Sequence, residues 1–160
     1  MYSTSKKIPE EYLKMLSMDW WSLRFFNVYG NGEDHKGKMA SMVSQSIDQI
    51  NKTGTVKLFK HGEQKRDFVY VKDVVRVIKW IIENRPDKGI YDVGSGVAQS
   101  FNTMAHTVAT LLGKELEIEY INMPDLDFYQ TFTQADLTKL RRVGYPTPMH
   151  RLEQGISDML

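Results

Sequence analysis

The chain has 160 residues, 41% of them hydrophobic, which is enough for one domain with a true core or a large part of one. Lysine and arginine number 21 against 20 aspartates and glutamates, and the resulting net charge of +1 speaks against nucleic acid or an anionic membrane as a partner. The absence of cysteine excludes disulfides and thiolate metal sites and agrees with a reducing, cytoplasmic setting, no apolar run approaches the ~18 residues that span a bilayer, and MYSTSKKIPEEY lacks the apolar core of a signal peptide.

Pro9-Glu10-Glu11 reads as a first helical turn, with Tyr12, Leu13 and Leu16 carrying an apolar face to Ser17. Trp20 to Tyr29 is aromatic and β-branched without a turn residue, and predicts one buried strand ended by Gly30-Asn31-Gly32. Met39, Met42, Val43, Ile47 and Ile50 follow helical spacing. Strands are expected at Val56–Phe59 and Asp67–Val71, then a helix from Asp73 to Asn84. A strand at Gly89–Val93, a helix at Phe101–Leu112 and a strand at Leu116–Ile121 follow, with short helices at Asp136–Arg142 and Leu152–Leu160. Met15, Met18, Met39, Met42 and Met104 fall at helical positions and are expected in the core. The alternation of strands and helices predicts an α/β fold.

Several short runs carry chemistry. Tyr2 and Lys6 form a Tyr-x-x-x-Lys pair, one helical turn apart if helical. A nearby ammonium stabilises a phenolate, which would suit Tyr2 to acid–base work. On spacing alone, a tyrosine and a lysine at a frayed terminus is the commoner meaning. Gly32-x4-Gly37-Lys38 approaches a P-loop, but Met39 stands where a magnesium-binding hydroxyl is required. His35 and Lys36 in that loop can bind a phosphate or exchange a proton, or the loop is simply solvated. Lys65-Arg66-Asp67 at the start of a strand suits an anionic ligand, with a surface Arg66–Asp67 cluster as the alternative. The turn Val93-Gly94-Ser95-Gly96 either faces a ligand at a sheet edge or is only punctuation. Gly30-x-Gly32 and Gly94-x-Gly96 are the G-x-G pairs, and His35 and Gln99 stand where a third glycine would complete a dinucleotide fingerprint. His61, His106 and His150 show no ligand spacing, so no metal site is expected.

Taken together, six runs form an ordered set: Tyr2-x3-Lys6, RFFNVYG (24–30), EDHKGKMAS (33–41), KLF (57–59), KRDFVYV (65–71) and FTQADL (132–137). They resemble the nucleotide-sugar epimerases of the extended short-chain dehydrogenase/reductase type, and among these the ADP-L-glycero-D-manno-heptose 6-epimerase family. The resemblance implies the C-terminal part of a Rossmann-like fold with its substrate-binding subdomain, lacking the N-terminal dinucleotide-binding half. Residues 1–30 would end the Rossmann-like core, 31–160 would be mainly the substrate-binding region, and 67–95 would return to the core.

The same resemblance implies roles. Tyr2 and Lys36 match the two acid/base groups, and Lys6 and Val28 match contacts to the cofactor, NADP. Asn27, Lys36, Phe59, Arg66 and Tyr129 match substrate contacts. Lys38 does too, although the family tends to have a small hydroxyl residue there. The implied reaction oxidises the sugar at C6 and returns hydride to its other face. With the Gly-rich loop and the upstream catalytic serine missing, the chain is expected to need a separate N-terminal half and to be inactive alone. The segments 6–24 and 57–66 are shorter than in the family, and Pro9 suggests a helix starting near it rather than at Tyr2. A non-catalytic nucleotide-sugar-binding or interaction module, and a UDP- or GDP-sugar epimerase or dehydratase, remain the alternatives. The apolar run Trp20–Tyr29 and helix 9–17 suggest a homo-oligomer.

Overall fold

The structure, a computed structural model, describes residues 2–122 and 130–160, with side chains from Ile8 onward. In chain order it contains α1 (Tyr2–Lys14), β1 (Trp21–Phe25), β2 (Asn27–Tyr29), a 3-10 turn (Asp34–Met39), α2 (Met42–Thr53), β3 (Thr55–Phe59) and β4 (Lys65–Tyr70). Then come α3 (Val71–Asn84), β5 (Gly89–Val93), β6 (Ala98–Ser100), α4 (Phe101–Leu112), β7 (Glu117–Ile121), α5 (Thr138–Arg142) and α6 (Leu152–Ser157). This is the expected α/β architecture.

Among the described residues the strands form three small sheets. β1 pairs parallel with β5, β3 pairs parallel with β7, and β4 lies between parallel β2 and antiparallel β6. The period of two along β4 divides the core. Phe68 and Tyr70 join Val43, Ile50, Leu58, Met104 and Val108 beneath α2, α4 and α6. Val69, pointing the other way, joins Val74, Val77, Ile81, Tyr91 and Leu140 around α3, β5 and α5. Side-chain caps set two helix starts: Ser41 accepts from Ser44 N at 3.2 Å, and Ser100 accepts from Thr103 N at 3.0 Å. α2 ends at Gly54, whose φ of 71° is the left-handed conformation that closes a helix.

Several expectations need correction. The run Trp20–Tyr29 is two strands in different sheets, broken at Phe26, whose N–H bonds the carbonyl of Val93 at 3.1 Å. β1 is only partly buried, and Phe25 is half exposed, because β1 has a strand on one side alone among the described residues. The first helix starts at Tyr2 and runs through Pro9. An interior proline removes its own N–H from the helical ladder and crowds the carbonyl four residues back, and the helix is fastened from elsewhere: Glu10 receives Arg24 Nε at 2.8 Å and Arg24 Nη2 at 2.6 Å. α2 begins at Met42 because Ser41 caps it there, so Met39 lies in the 3-10 turn, almost fully exposed. Met15 and Met18 follow the end of α1 and are also exposed, whereas Met42 and Met104 do pack on the core. β6 was not foreseen, since Ala-Gln-Ser has no apolar pattern and exists as a strand only by pairing with β4.

Candidate functional site

A groove of about 690 Å³ opens between α2 and the β3–β7 pair. Its floor is apolar, from Met42, Phe59, Phe101 and Ile121, and its rim carries the ammonium groups of Lys38 and Lys57. Lys57 is committed to Glu119 at 3.0 Å. Lys38 is exposed and makes no ion pair among the described residues. Such a groove fits a flat, weakly polar ring system joined to an anionic group.

β4 brings Arg66 next to Phe101, one of the residues that line this groove. Arg66 is buried, donates from Nη1 to the carbonyl of Lys65 at 2.9 Å and from Nη2 to the carbonyl of Gln130, and lies 5.8 Å from the centre of the Phe101 ring. Phe68, two residues on, packs edge-to-face on the same ring at 5.7 Å. Asn27 is exposed and stands in register with Phe68 across the β2–β4 pair. Lys38 and Phe59 thus line one groove with Phe101, and Arg66 lies against that ring, which sequence reasoning did not single out. Phe101 is the first residue of a helix, and nothing local marks it as part of a binding wall.

Lys36 is not among the groove-lining residues; its Nζ bonds Glu33 Oε1 at 3.1 Å. Glu33 also accepts from Ser41 Oγ and Ser44 Oγ, each at 2.6 Å, and from Ser41 N at 3.2 Å. Partial burial disfavours the Glu33 carboxylate, but these hydroxyls and the Lys36 ammonium outweigh it and hold the carboxyl below its usual range. Val28 is half-buried against the α3 side of the core. Tyr2 and Lys6 lie in the first turns of α1, with side chains outside those described, and Tyr129 lies outside the described residues.

Asp67 is the residue the sequence concealed. The alternative of a surface Arg66–Asp67 cluster fails, because the Asp67 side chain is fully buried. Its Oδ1 accepts from Ser95 N at 2.6 Å and Ser95 Oγ at 2.7 Å, and its Oδ2 from Gly96 N at 2.9 Å and Ala135 N at 3.0 Å. The Val93–Gly96 turn therefore wraps a carboxylate of its own chain. Gly94 must be glycine: a Cβ there would stand 2.5 Å from the Ala135 Cβ and 2.6 Å from Asp67 Oδ2. Asp73 does a similar task at the other end of β4, accepting from His150 N at 2.8 Å and meeting His150 Nδ1 at 2.9 Å.

The described residues do not form a cradle for the pyrophosphate of a dinucleotide. Such a group rests on open N–H groups at a helix start after a glycine turn. Here the glycine turn after β2 leads to α2, and the start of α2 is already occupied by the carboxylate of Glu33, of the same sign as a phosphate. Among the described residues, no three histidine, aspartate or glutamate side chains gather as a metal cage, and no helix is long and apolar enough to cross a membrane.

The sequence profile of the NAD dependent epimerase/dehydratase family matches residues 1–94. The ADP-L-glycero-D-manno-heptose-6-epimerase of Fusobacterium nucleatum is 44% identical over 98% of this chain and 53% of its own length. Among solved structures, the ADP-L-glycero-D-manno-heptose-6-epimerase of Helicobacter pylori is 35% identical and superposes with a TM-score of 0.85 over 99% of this chain and 49% of that one. The UDP-glucose 4-epimerase of Thermus thermophilus, solved in complex with NAD, is 27% identical with a TM-score of 0.82 over 99% of this chain and 52% of that one. The chain spans about half the length of the curated relatives it matches.

Proposed function

The chain belongs to the NAD dependent epimerase/dehydratase family, and we propose that it supplies the nucleotide-sugar-binding region of an ADP-heptose 6-epimerase. The observation that carries this reading is the apolar groove with the Lys38 ammonium on its rim, backed by Arg66 behind Phe101. A nucleotide sugar combines a flat base with a diphosphate, and the groove offers an aromatic wall for the one and cations for the other. Phe59 and Phe101 would face the base, Lys38 and Arg66 would draw the diphosphate, and Asn27 and Tyr129 would hydrogen-bond the substrate.

The reaction implied for the whole enzyme needs an acid/base group on each face of the sugar, and Tyr2 and Lys36 are the groups proposed, with Lys6 stabilising the Tyr2 phenolate. Family membership supports a nicotinamide dinucleotide, which supplies the oxidising and reducing equivalents when bound, and NADP is the form proposed. Lys6 and the backbone at Val28 would touch it, and its pyrophosphate would rest on a separate N-terminal dinucleotide-binding half. In this scheme residues 1–30 and 67–95 belong to the core shared with that half, a division supported by the pairing of β1 with β5 and β2 with β4. The exposed Tyr12 and Met15 on or just past α1 support a homo-oligomer.

Calorimetric titration of the chain with ADP-heptose, UDP-glucose and NADP, each with and without a matched N-terminal half, tests the proposal. It expects ADP-heptose binding to the chain alone, and NADP binding once the half is supplied. Preference for UDP-glucose would replace the proposed substrate, and no nucleotide-sugar binding in either form would overturn the reading.

A further inference from the structure

We infer that Glu33 is a positioning residue that stations Lys36 in reserve beside the groove, while keeping the turn that bears it fastened to α2. The inference rests on the reading of Lys36 as an acid/base group. It starts from an asymmetry in how Glu33 is held. On the α2 side its carboxylate receives Ser41 N and the hydroxyls of Ser41 and Ser44, the two hydroxyls at 2.6 Å, and the Glu33 side chain is only 11% exposed. On the other side it meets the Lys36 ammonium at 3.1 Å, and the Lys36 side chain is 43% exposed.

These two sides differ in strength. Hydrogen bonds to a largely buried carboxylate are the strong kind, and breaking them would leave the Ser44 hydroxyl and Ser41 N–H at the start of a helix without this acceptor, and the Ser41 hydroxyl with only its weaker 3.2 Å bond to Ser44 Oγ. An ion pair whose cation reaches solvent contributes only about 0–1 kcal/mol. The ammonium can therefore leave while the carboxylate stays satisfied by α2. The backbone adds to the fastening, since Lys36 N donates to the carbonyl of Glu33 at 2.8 Å. Glu33 thus fixes where residue 36 sits and leaves its long side chain releasable. Two residues on, Lys38 already lines the groove, so the turn lies next to it. An anionic substrate arriving there competes with Glu33 for the same ammonium, and the exchange breaks one weak contact only.

Trace acetylation of the folded full chain, read by mass spectrometry as the ratio of Lys36 to Lys38 labelling, tests this directly. Glu33→Gln is expected to raise the ratio by about two- to fivefold, the span that loss of an exposed ion pair allows. Glu33→Asp, which keeps the charge on a shorter arm, should give an intermediate value. Ser44→Ala weakens the α2 anchor and leaves the ion pair, so it should stay near the unsubstituted chain. An unchanged ratio in Glu33→Gln, or an equal rise in Ser44→Ala, overturns the inference, the second because it would mean general loosening. If Glu33→Gln does not fold, the contrast between Glu33→Asp and Ser44→Ala decides in the same way. Nucleotide-sugar titration of the same samples keeps the two readings apart: absent binding sinks the proposed function, while the labelling contrast bears on Glu33 alone.

Discussion

Replacing Asp67 with asparagine keeps the outline of the side chain and turns one of its two acceptors into a donor. The carboxylate serves Ser95 N and Oγ through Oδ1, and Gly96 N and Ala135 N through Oδ2. If the amide nitrogen takes the Oδ2 place, two N–H groups lose their acceptor. If it takes the Oδ1 place, the Ser95 hydroxyl can turn toward the carbonyl of Val97, already 3.2 Å away, and one N–H is stranded. Water cannot repair the loss, because the space beside Gly94 is too tight even for a methyl group. Each stranded buried donor costs about 1–3 kcal/mol, so Asp67→Asn should destabilise the chain by about 2–4 kcal/mol. For a chain of this size that lowers the melting temperature by roughly 5–15 °C. Urea unfolding followed by tryptophan fluorescence at neutral pH measures it, with Ser95→Ala, which removes the hydroxyl's bond to Asp67 and leaves the N–H of exposed Val97 to water, expected to cost about 1 kcal/mol. A loss below about 0.5 kcal/mol in Asp67→Asn, or an equal loss in Ser95→Ala, would refute the account of Asp67 as a buried acceptor for two distant segments.

Gly94→Ala should cost about 1–3 kcal/mol by overpacking against Ala135 and Asp67, and should not add fully to Asp67→Asn because the two share one site. The hydrogen bond and charge of Arg24 hold the Glu10 carboxyl below its ordinary 4.5 against the opposing effect of burial, and a depressed carboxyl contributes stability that is lost as pH falls through its folded-state value. Thermal melts should therefore show α1 loosening below pH 4.5, and Arg24→Met should remove that part of the pH dependence. Lys38→Met should weaken ADP-heptose binding about three- to tenfold in calorimetry, as loss of one solvent-exposed hydrogen bond does, while leaving unfolding within about 0.5 kcal/mol. Tyr29→Phe removes a 3.3 Å bond to the carbonyl of Leu152 and should cost about 0.5–1.5 kcal/mol in the same urea assay.

Helices α2, α3 and α4 were legible because their signal is local, apolar residues at helical spacing, although the serines that set the starts of α2 and α4 were not read as caps. Strands β3, β5 and β7 were legible as elements but not as partners. Nothing in the run from Trp20 to Tyr29 marks Phe26 as the point where the chain changes sheets, since Phe25 and Phe26 carry the same local preference. Asp67 was misjudged for a similar reason: its donors lie 28, 29 and 68 residues further along the chain. The site divides along the same line. Lys38, Phe59 and Arg66 were found because each sits in a recognisable run, whereas Phe101 belongs to the groove only through folding. The Glu33–Lys36 pair was within reach, being three residues apart, but the burial of Glu33 depends on a helix that starts at Ser41.

Among the described residues, none of the four strand ladders joins strands that follow one another in the chain: β1 goes with β5, β2 with β4, β3 with β7, and β4 with β6. The described residues therefore contain no hairpin from which a sheet can start. Every ladder must close a long loop before its first hydrogen bond forms, and that entropy is spent before any contact returns it. The capped helices can flicker into being on their own, but the sheets must wait for distant segments to meet. Folding of this chain should accordingly be slow for its size, with the strand edges open throughout the delay. Whatever covers those edges early, whether a second copy or an adjoining polypeptide, would act as an assembly factor as much as a functional partner.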